Sequence, residues 1–340
     1  MKIFVNPTHG NAPFIIGTHV ALQVALELGK EVEIVVPHIN GKRQEIILKD
    51  LGLDGIVKLD QGLKEFYDPL LMKAYGFEEH VSSLLSFRKL AEENIKRYLD
   101  QNYGGFDLEI NYGAKIVTEA EKSYYAFPAI FSEILMRSAD NKFLSNVFNE
   151  RKLRACSFMM KEVEEKFEFM FIPDYHTFSY LERENFEREI KTPPQQPLAR
   201  GFDGEILENS MYFMLSGTGS DIDSILEKAR EFRSEGFNPI IPSWYETDEF
   251  QKMSPKVISH PNVVQLYGRA GFGFIWDAQQ VGKKVIHHPY GHGDDAEIYH
   301  NIKTLESLDM LEATEKMREK FSDMDGIKYI ASRIVADLRA

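Results

Sequence analysis

The chain alternates twice between short apolar runs and segments with apolar residues at helical spacing, and a cluster of prolines separates the two series. KIFVN (2–6) predicts a strand that ends in the turn signal NPTHGN. GTHVALQVALELG (17–29) places Val20, Leu22, Val24, Ala25 and Leu28 at helical spacing, with Thr18 as N-cap and Gly29 as stop. EVEIVVP (31–37) and GIVKLD (55–60) predict the next two strands. A β–α–β–α–β opening implies an α/β fold with a parallel, doubly wound sheet.

The middle predicts a long helix over 77–101 and strands over 106–111, 126–131 and 166–174. In REIKTPPQQPLARGFDGE (188–205), Pro193, Pro194 and Pro197 interrupt both helix and strand, which marks a linker. The alternation then restarts. SMYFMLSG (210–217) is a strand and SDIDSILEKAREFRSEG (220–236) a helix capped by Ser220 or Asp221. NPIIPS and NVVQLYG are strands, GFIWDAQQVG (273–282) a helix, and KKVIHHPY (283–290) a strand before one or two closing helices. The expected organisation is an N-terminal domain over 1–192, a linker over 193–208 and a C-terminal domain over 209–340, with the last helix free to pack back on the first domain.

At 340 residues the chain exceeds one average domain, and 43% apolar with 27% charged residues suffices for two cores. A net charge of −13 argues against nucleic-acid binding, which needs a basic face, but leaves room for a local site for a small anion. Cys156 is the only cysteine, so neither an intrachain disulfide nor a multi-cysteine zinc site can form. A reducing, cytoplasmic setting fits. MKIFVNPTHGNAPF lacks the apolar centre of a signal peptide, and no apolar run approaches the ~18 residues of a membrane span. Peripheral membrane contact stays open.

YGRAGFGFIWDAQQVGKKVIHHPYGHGDDAEIYHN (267–301) holds two glycine loops, each after a strand and before a helix. Gly271 and Gly273 allow a ligand close to the backbone, and the helix opening near Phe274 directs N–H groups and a positive dipole end at a diphosphate; Phe272 and Phe274 join the substrate-binding candidates. Arg269 can neutralise phosphate charge. Asp277 can hold ribose hydroxyls, or simply be an acid near a helix N-terminus. Ser216, Gly217, Thr218, Gly219 and Ser220 can hold phosphate at the next helix, or supply its cap. Asp294 and Asp295 can accept from sugar hydroxyls, or cap the following helix. His19 and His9 are the candidate bases, since imidazole titrates near neutral pH; Gly17 and Thr18 precede His19 and join the substrate-binding candidates. His287, His288, His292, Asp294 and Asp295 contain metal-ligand chemistry but no zinc spacing, so no metal or cofactor is expected.

The segment 268–301 is similar to the donor-binding stretch of GT-B glycosyltransferases of the MurG and UDP-glycosyltransferase type. Residues 269–273 occupy that family's His/Gly-rich loop, Asp277 its acidic position before alanine, 282–289 its strand, and Asp294–Asp295 its acidic loop. GTHVALQVALELGKEVEIVVP resembles the opening Gly-His helix and second strand, and TPPQQPLARGF the interdomain segment. Ala270 departs from the usual glycine, Asp277 from a common glutamate, and Asp295 from a glutamine. The resemblance implies two Rossmann-like domains facing each other across a cleft. It implies a metal-independent glycosyltransferase that moves a sugar from a nucleotide-diphosphate sugar, of UDP type, to a sugar, lipid or small-molecule acceptor with inversion. His19 matches the Gly-His position and ranks first as base, His9 second. A nucleotide-sugar epimerase or phosphorylase, or a non-catalytic nucleotide-sugar-binding protein, fits the same architecture. A dehydrogenase does not, because the first βα loop lacks G-x-G-x-x-G.

Overall fold

The computed structural model describes residues 1–71, 76–182, 187–197, 201–215, 222–291, 294–309, 319 and 323–340. The first part of the chain runs β1 (Lys2–Pro7), α1 (Ala12–Leu28), β2 (Glu33–Pro37), α2 (Lys42–Leu51), β3 (Val57–Asp60), α3 (Lys64–Tyr67), α4 (Phe77–Tyr103), β4 (Leu108–Tyr112) and β5 (Lys122–Ala126). It continues through α5 (Phe131–Asp140), α6 (Lys142–Val147), α7 (Glu150–Glu164), β6 (Met170–Pro173) and β7 (Glu189–Thr192). These strands form one parallel sheet in the order β3-β2-β1-β4-β5-β6-β7. The second part runs β8 (Ser210–Met214), α8 (Ile222–Ser234), β9 (Asn238–Pro242), β10 (Gln251–Met253), β11 (Val263–Gly268), α9 (Phe272–Val281), β12 (Lys284–His287) and α10 (Ala296–Ser307). Its sheet is also parallel, in the order β10-β9-β8-β11-β12. The helix Gly326–Arg339 closes the chain.

Helices cover both faces of such sheets, so the central strands read as continuous apolar runs. Ile3, Phe4 and Val5 of β1 are fully buried, as are Met211, Tyr212 and Phe213 of β8. The C-terminal helix returns to the first sheet. Its Ile327, Ile330, Ala331 and Ile334 join the core that contains Phe14, Val20 and Val24 of α1. Lys122 and Tyr124 of β5 each donate to Asp337 Oδ2 at 2.5 Å. α1 is therefore covered by sheet on one side and helix on the other, which accounts for its nearly all-round apolar character.

Several boundaries differ from the sequence reading. The first helix opens at Ala12, not near Thr18, because Pro13 sits in its first turn, where the missing N–H is no loss. Thr18 is then an interior helical residue and no cap. Residues 126–131 are not a strand: β5 ends at Ala126 and α5 begins at Phe131. The proline segment is not a bare linker. It opens with β7 on the sheet edge, Gln195 Nε2 donates 2.7 Å to Phe171 O, and Gly326 N donates 3.1 Å to Pro194 O. A Cβ on Gly326 would lie 2.3 Å from that same carbonyl, so the C-terminal helix clamps the segment at van der Waals contact. The helices α3, α5, α6 and α7 and the strands β7 and β10 are additions to the sequence reading.

Candidate active site

In a doubly wound sheet the chain leaves neighbouring strands in opposite directions at one point, and a crevice opens there beyond the carboxyl ends. The first sheet has this point between β1 and β4, the second between β8 and β11. Both open into one cavity of about 710 Å³. It is lined by the loop after β1 with the start of α1, the loops after β4 and β5, the end of β8, and the loop from β11 into α9.

The second-sheet wall is made chiefly of backbone. Gly271 precedes α9 with no side-chain cap, so the first-turn N–H groups of Phe272, Gly273 and Phe274 stay available at the cavity. A Cβ on Gly271 would meet nothing within 4 Å, which is open cavity. Gly273 serves a different purpose from the one its sequence context implies. Its Cβ would lie 2.8 Å from Ala12 Cβ, so it lets the N-termini of α9 and α1 meet across the cleft. Arg269 pairs with buried Asp294, and Asn301 Nδ2 donates 2.8 Å to Ala270 O, so α10 braces the loop from behind. Asp277 lines the cavity half-buried and accepts from Gln196 Nε2 at 2.8 Å; burial raises its carboxyl to about 7.

The first-sheet wall is made of side chains. His9 Nδ1 lies 3.3 Å from Thr8 Oγ1, and its Nε2 lies 3.9 Å from Asp295 Oδ2, across the cleft. Burial first, then the charges of Lys115, Arg269 and Arg43, lowers the imidazole to about 3, so it is neutral at ordinary pH. Asp295 caps α10 by accepting from Glu297 N at 3.0 Å. Burial raises both carboxyls, Glu297 to about 7. Lys115, buried in the loop after β4, donates 2.8 Å to Gly113 O and stands 3.5 Å from the Phe131 ring centre. A wholly buried polar group holds that loop. Glu109 accepts from Asn6 Nδ2 at 2.6 Å and from Thr118 N and Oγ1 at 2.7 Å, while Asn111 Oδ1 accepts from Ala114 N at 2.9 Å. Satisfied networks of this kind fix a geometry, because breaking one bond leaves a costly orphan.

Of the residues singled out in the sequence, His9, His19, Arg269, Gly271, Phe272, Gly273, Phe274, Asp277 and Asp295 line this one cavity. Gly17 and Thr18 do not. They are buried inside α1, and a Cβ on Gly17 would lie 2.7 Å from Val5 Cγ1 of the strand beneath. Asp294 is buried behind the wall with Arg269. Ser216, Gly217, Thr218, Gly219 and Ser220 lie outside the described residues, as does His292. Among the described residues no cluster of three metal-ligating side chains occurs, and no helix is long and apolar enough to cross a membrane. Tyr112, Lys115 and Glu297 are lining residues absent from the sequence reading. The one available signal was YGAK at a strand end, and it gains meaning only once β4 is known to lie beside β1.

No family model and no curated protein matches the sequence. Solved structures do match in fold. Medicago truncatula UGT71G1 complexed with UDP-glucose shares 11% identity over 100% of this chain and 98% of its own, with a TM-score of 0.56. Arabidopsis thaliana UGT89C1 complexed with quercetin shares 12% over 100% and 99%, also at 0.56. The glycosyltransferase SnogD from Streptomyces nogalater shares 13% over 99% of each chain, at 0.51. At such identities the likeness is one of fold: the chain has the two-sheet GT-B architecture that the sequence resemblance implied.

Proposed function

We propose that this protein of GT-B fold is a glycosyltransferase that moves a sugar from a nucleoside-diphosphate sugar, of UDP type, to an acceptor hydroxyl. One observation carries the reading: the N-termini of α1 and α9, brought together at Gly273 and Ala12, open into a cavity that also holds a neutral buried histidine. The free N–H groups and dipole of α9 suit the donor diphosphate and stabilise it as it leaves. Asp277 lies where it can take ribose hydroxyls, and Arg269 adds positive charge at the loop. The acceptor then lies against the first sheet. As its oxygen attacks the anomeric carbon and the bond to diphosphate breaks, the hydroxyl proton passes to His9.

His9 takes precedence over His19 on geometry. It stands in the loop at the point where the first sheet's windings diverge, and it faces Asp295 from the other sheet. His19 lines the cavity from the second turn of α1. A base with a value near 3 is weak; burial is the larger cause and persists in the complex, while negative charge on the bound diphosphate offsets Arg269 and raises the imidazole part of the way. The domain division proposed from this site is the first sheet for acceptor, the second for donor, with the boundary after β7 and the C-terminal helix returning to the first.

The deciding experiment is a thermal-shift and calorimetric screen with nucleoside diphosphates and nucleotide sugars, followed by UDP release from UDP-glucose with a panel of hydroxylated acceptors. Saturable stabilisation by UDP and acceptor-dependent release are expected. Absence of UDP binding would remove the donor assignment. Binding without turnover on any acceptor would leave a nucleotide-sugar-binding protein.

A further inference from the structure

In the first-sheet crevice two buried donor groups are incompletely matched among the described residues: the Lys115 ammonium, with one hydrogen bond and the Phe131 ring beside it, and the Tyr112 hydroxyl. Lys115 is 4% exposed and Tyr112 is 1% exposed, and both line the cavity. An ammonium carries three N–H donors, but Lys115 spends one, on Gly113 O. Among the described residues it forms no ion pair within 4.0 Å. The Tyr112 hydroxyl has no hydrogen-bond partner among them either. Buried donors of this kind are costly unless something fills them. The remaining surface beside them is apolar and partly flat: Phe127, Pro128 and Phe131 after β5, with Ile15 and Ile16 of α1.

We propose that Tyr112 and Lys115 form an anion subsite for the acceptor, which is therefore a flat, largely apolar molecule that carries a carboxylate or phosphate besides its reacting hydroxyl. This rests on the reading of the first-sheet crevice as the acceptor side. Two observations separate the subsite from the donor diphosphate. Lys115 belongs to the opposite sheet from α9, and the Glu109 and Asn111 network pins its loop, so the ammonium cannot be swung across the cleft by loop movement. The carboxylates whose fields reach Lys115 are Asp295, Glu297 and Glu164. All three are themselves held above their usual range by burial, so they compensate the ammonium incompletely.

The test uses matched ligands that differ in one group: 4-hydroxybenzoate and 4-hydroxycinnamate against their amides, and 4-hydroxyphenyl phosphate against hydroquinone. Calorimetry on the whole chain with UDP present should show the anionic member binding about tenfold tighter or more, the size of one charge-assisted hydrogen bond. The two series distinguish carboxylate from phosphate. In Lys115→Met the ratio should fall to about one while UDP affinity holds, and Lys115→Arg should restore part of it. Equal binding of acid and amide, or no binding of any acid at millimolar concentration, overturns the subsite. So does parallel loss of UDP affinity in Lys115→Met, which would assign the ammonium to the diphosphate. If Lys115→Met fails to fold, the ratios in the unaltered protein still decide. Acid binding without UDP binding would keep the subsite and reject the transferase reading.

Discussion

The crevice beyond β1 and β4 carries its chemistry on side chains, whereas the crevice beyond β8 and β11 carries it on the backbone. His9 and Lys115 project from loops anchored by Glu109 and Asn111, and Tyr112 from the end of β4, while the opposite wall offers helix-terminal N–H groups beside Gly271. Backbone donors keep the same charge at any pH and recognise a group common to every donor of a class. Side chains titrate, and they can be exchanged one at a time. The same fold used twice thus yields one wall suited to an invariant phosphate and another suited to proton transfer and to choice of acceptor.

The largest expected effect is on the side-chain wall. His9→Ala should lower turnover at least about a hundredfold with little change in UDP affinity, the usual contribution of a placed base. Turnover on an acceptor from the panel and UDP calorimetry measure the two quantities. His19→Ala should cost less; a larger loss there would move the base into α1.

The pH dependence sharpens the same contrast. In the free enzyme His9 sits near 3 rather than 6.5, so the acid limb of kcat/KM should fall well below 6.5. The limb of kcat should lie higher, because bound diphosphate offsets Arg269, one of the cations that depress His9. Coincident limbs near 6.5 would mean that the base is a solvated histidine elsewhere.

On the backbone wall, the two glycines that flank Phe272 should behave differently. Gly273→Val drives a side chain into Ala12 Cβ, 2.8 Å from the new Cβ, and should cost about 1–3 kcal/mol of stability along with UDP binding. Gly271→Ala faces open cavity at φ −83°, so stability should hold within about 0.5 kcal/mol while UDP affinity falls. Thermal melting with and without UDP separates the two. Equal melting temperatures for both variants would contradict the close contact between α1 and α9.

The smallest effect is on stability against pH, where the two walls carry opposite signs. Burial raises Asp277 from 3.8 to about 7, so its contribution is complete below 3.8 and is lost as pH rises through about 7. His9 is lowered from 6.5 to about 3, so its contribution is present above 6.5 and is lost as pH falls towards 3. After discounting for solvent contact at half-buried Asp277, Asp277→Asn should flatten stability between 3.8 and about 7 by about 1 kcal/mol, roughly 2 °C. His9→Asn should instead flatten the acid side. A single slope common to both variants would remove the contrast.

The sequence by itself determined the alternation of strands and helices, hence two doubly wound sheets, because burial on both faces demands continuous apolar strands and each intervening helix shows its own period. It also located the α9 loop, since glycines at a strand-to-helix turn leave a local mark. The length of α1 was misread because Pro13 looks like a breaker until it is placed in a first turn. The proline segment reads as a domain linker, and the contact of the Pro193 and Pro194 carbonyls with Gly326 is not legible in it because Gly326 lies more than a hundred residues away in the chain. Lys115 and Tyr112 were invisible for the same reason. Their position follows from β4 lying beside β1, and strand order is a long-range pairing that periodicity does not encode. Only the tertiary structure set His9 opposite Asp295 and let Gly273 touch Ala12, because both contacts join the two sheets and neither leaves a mark in the local sequence.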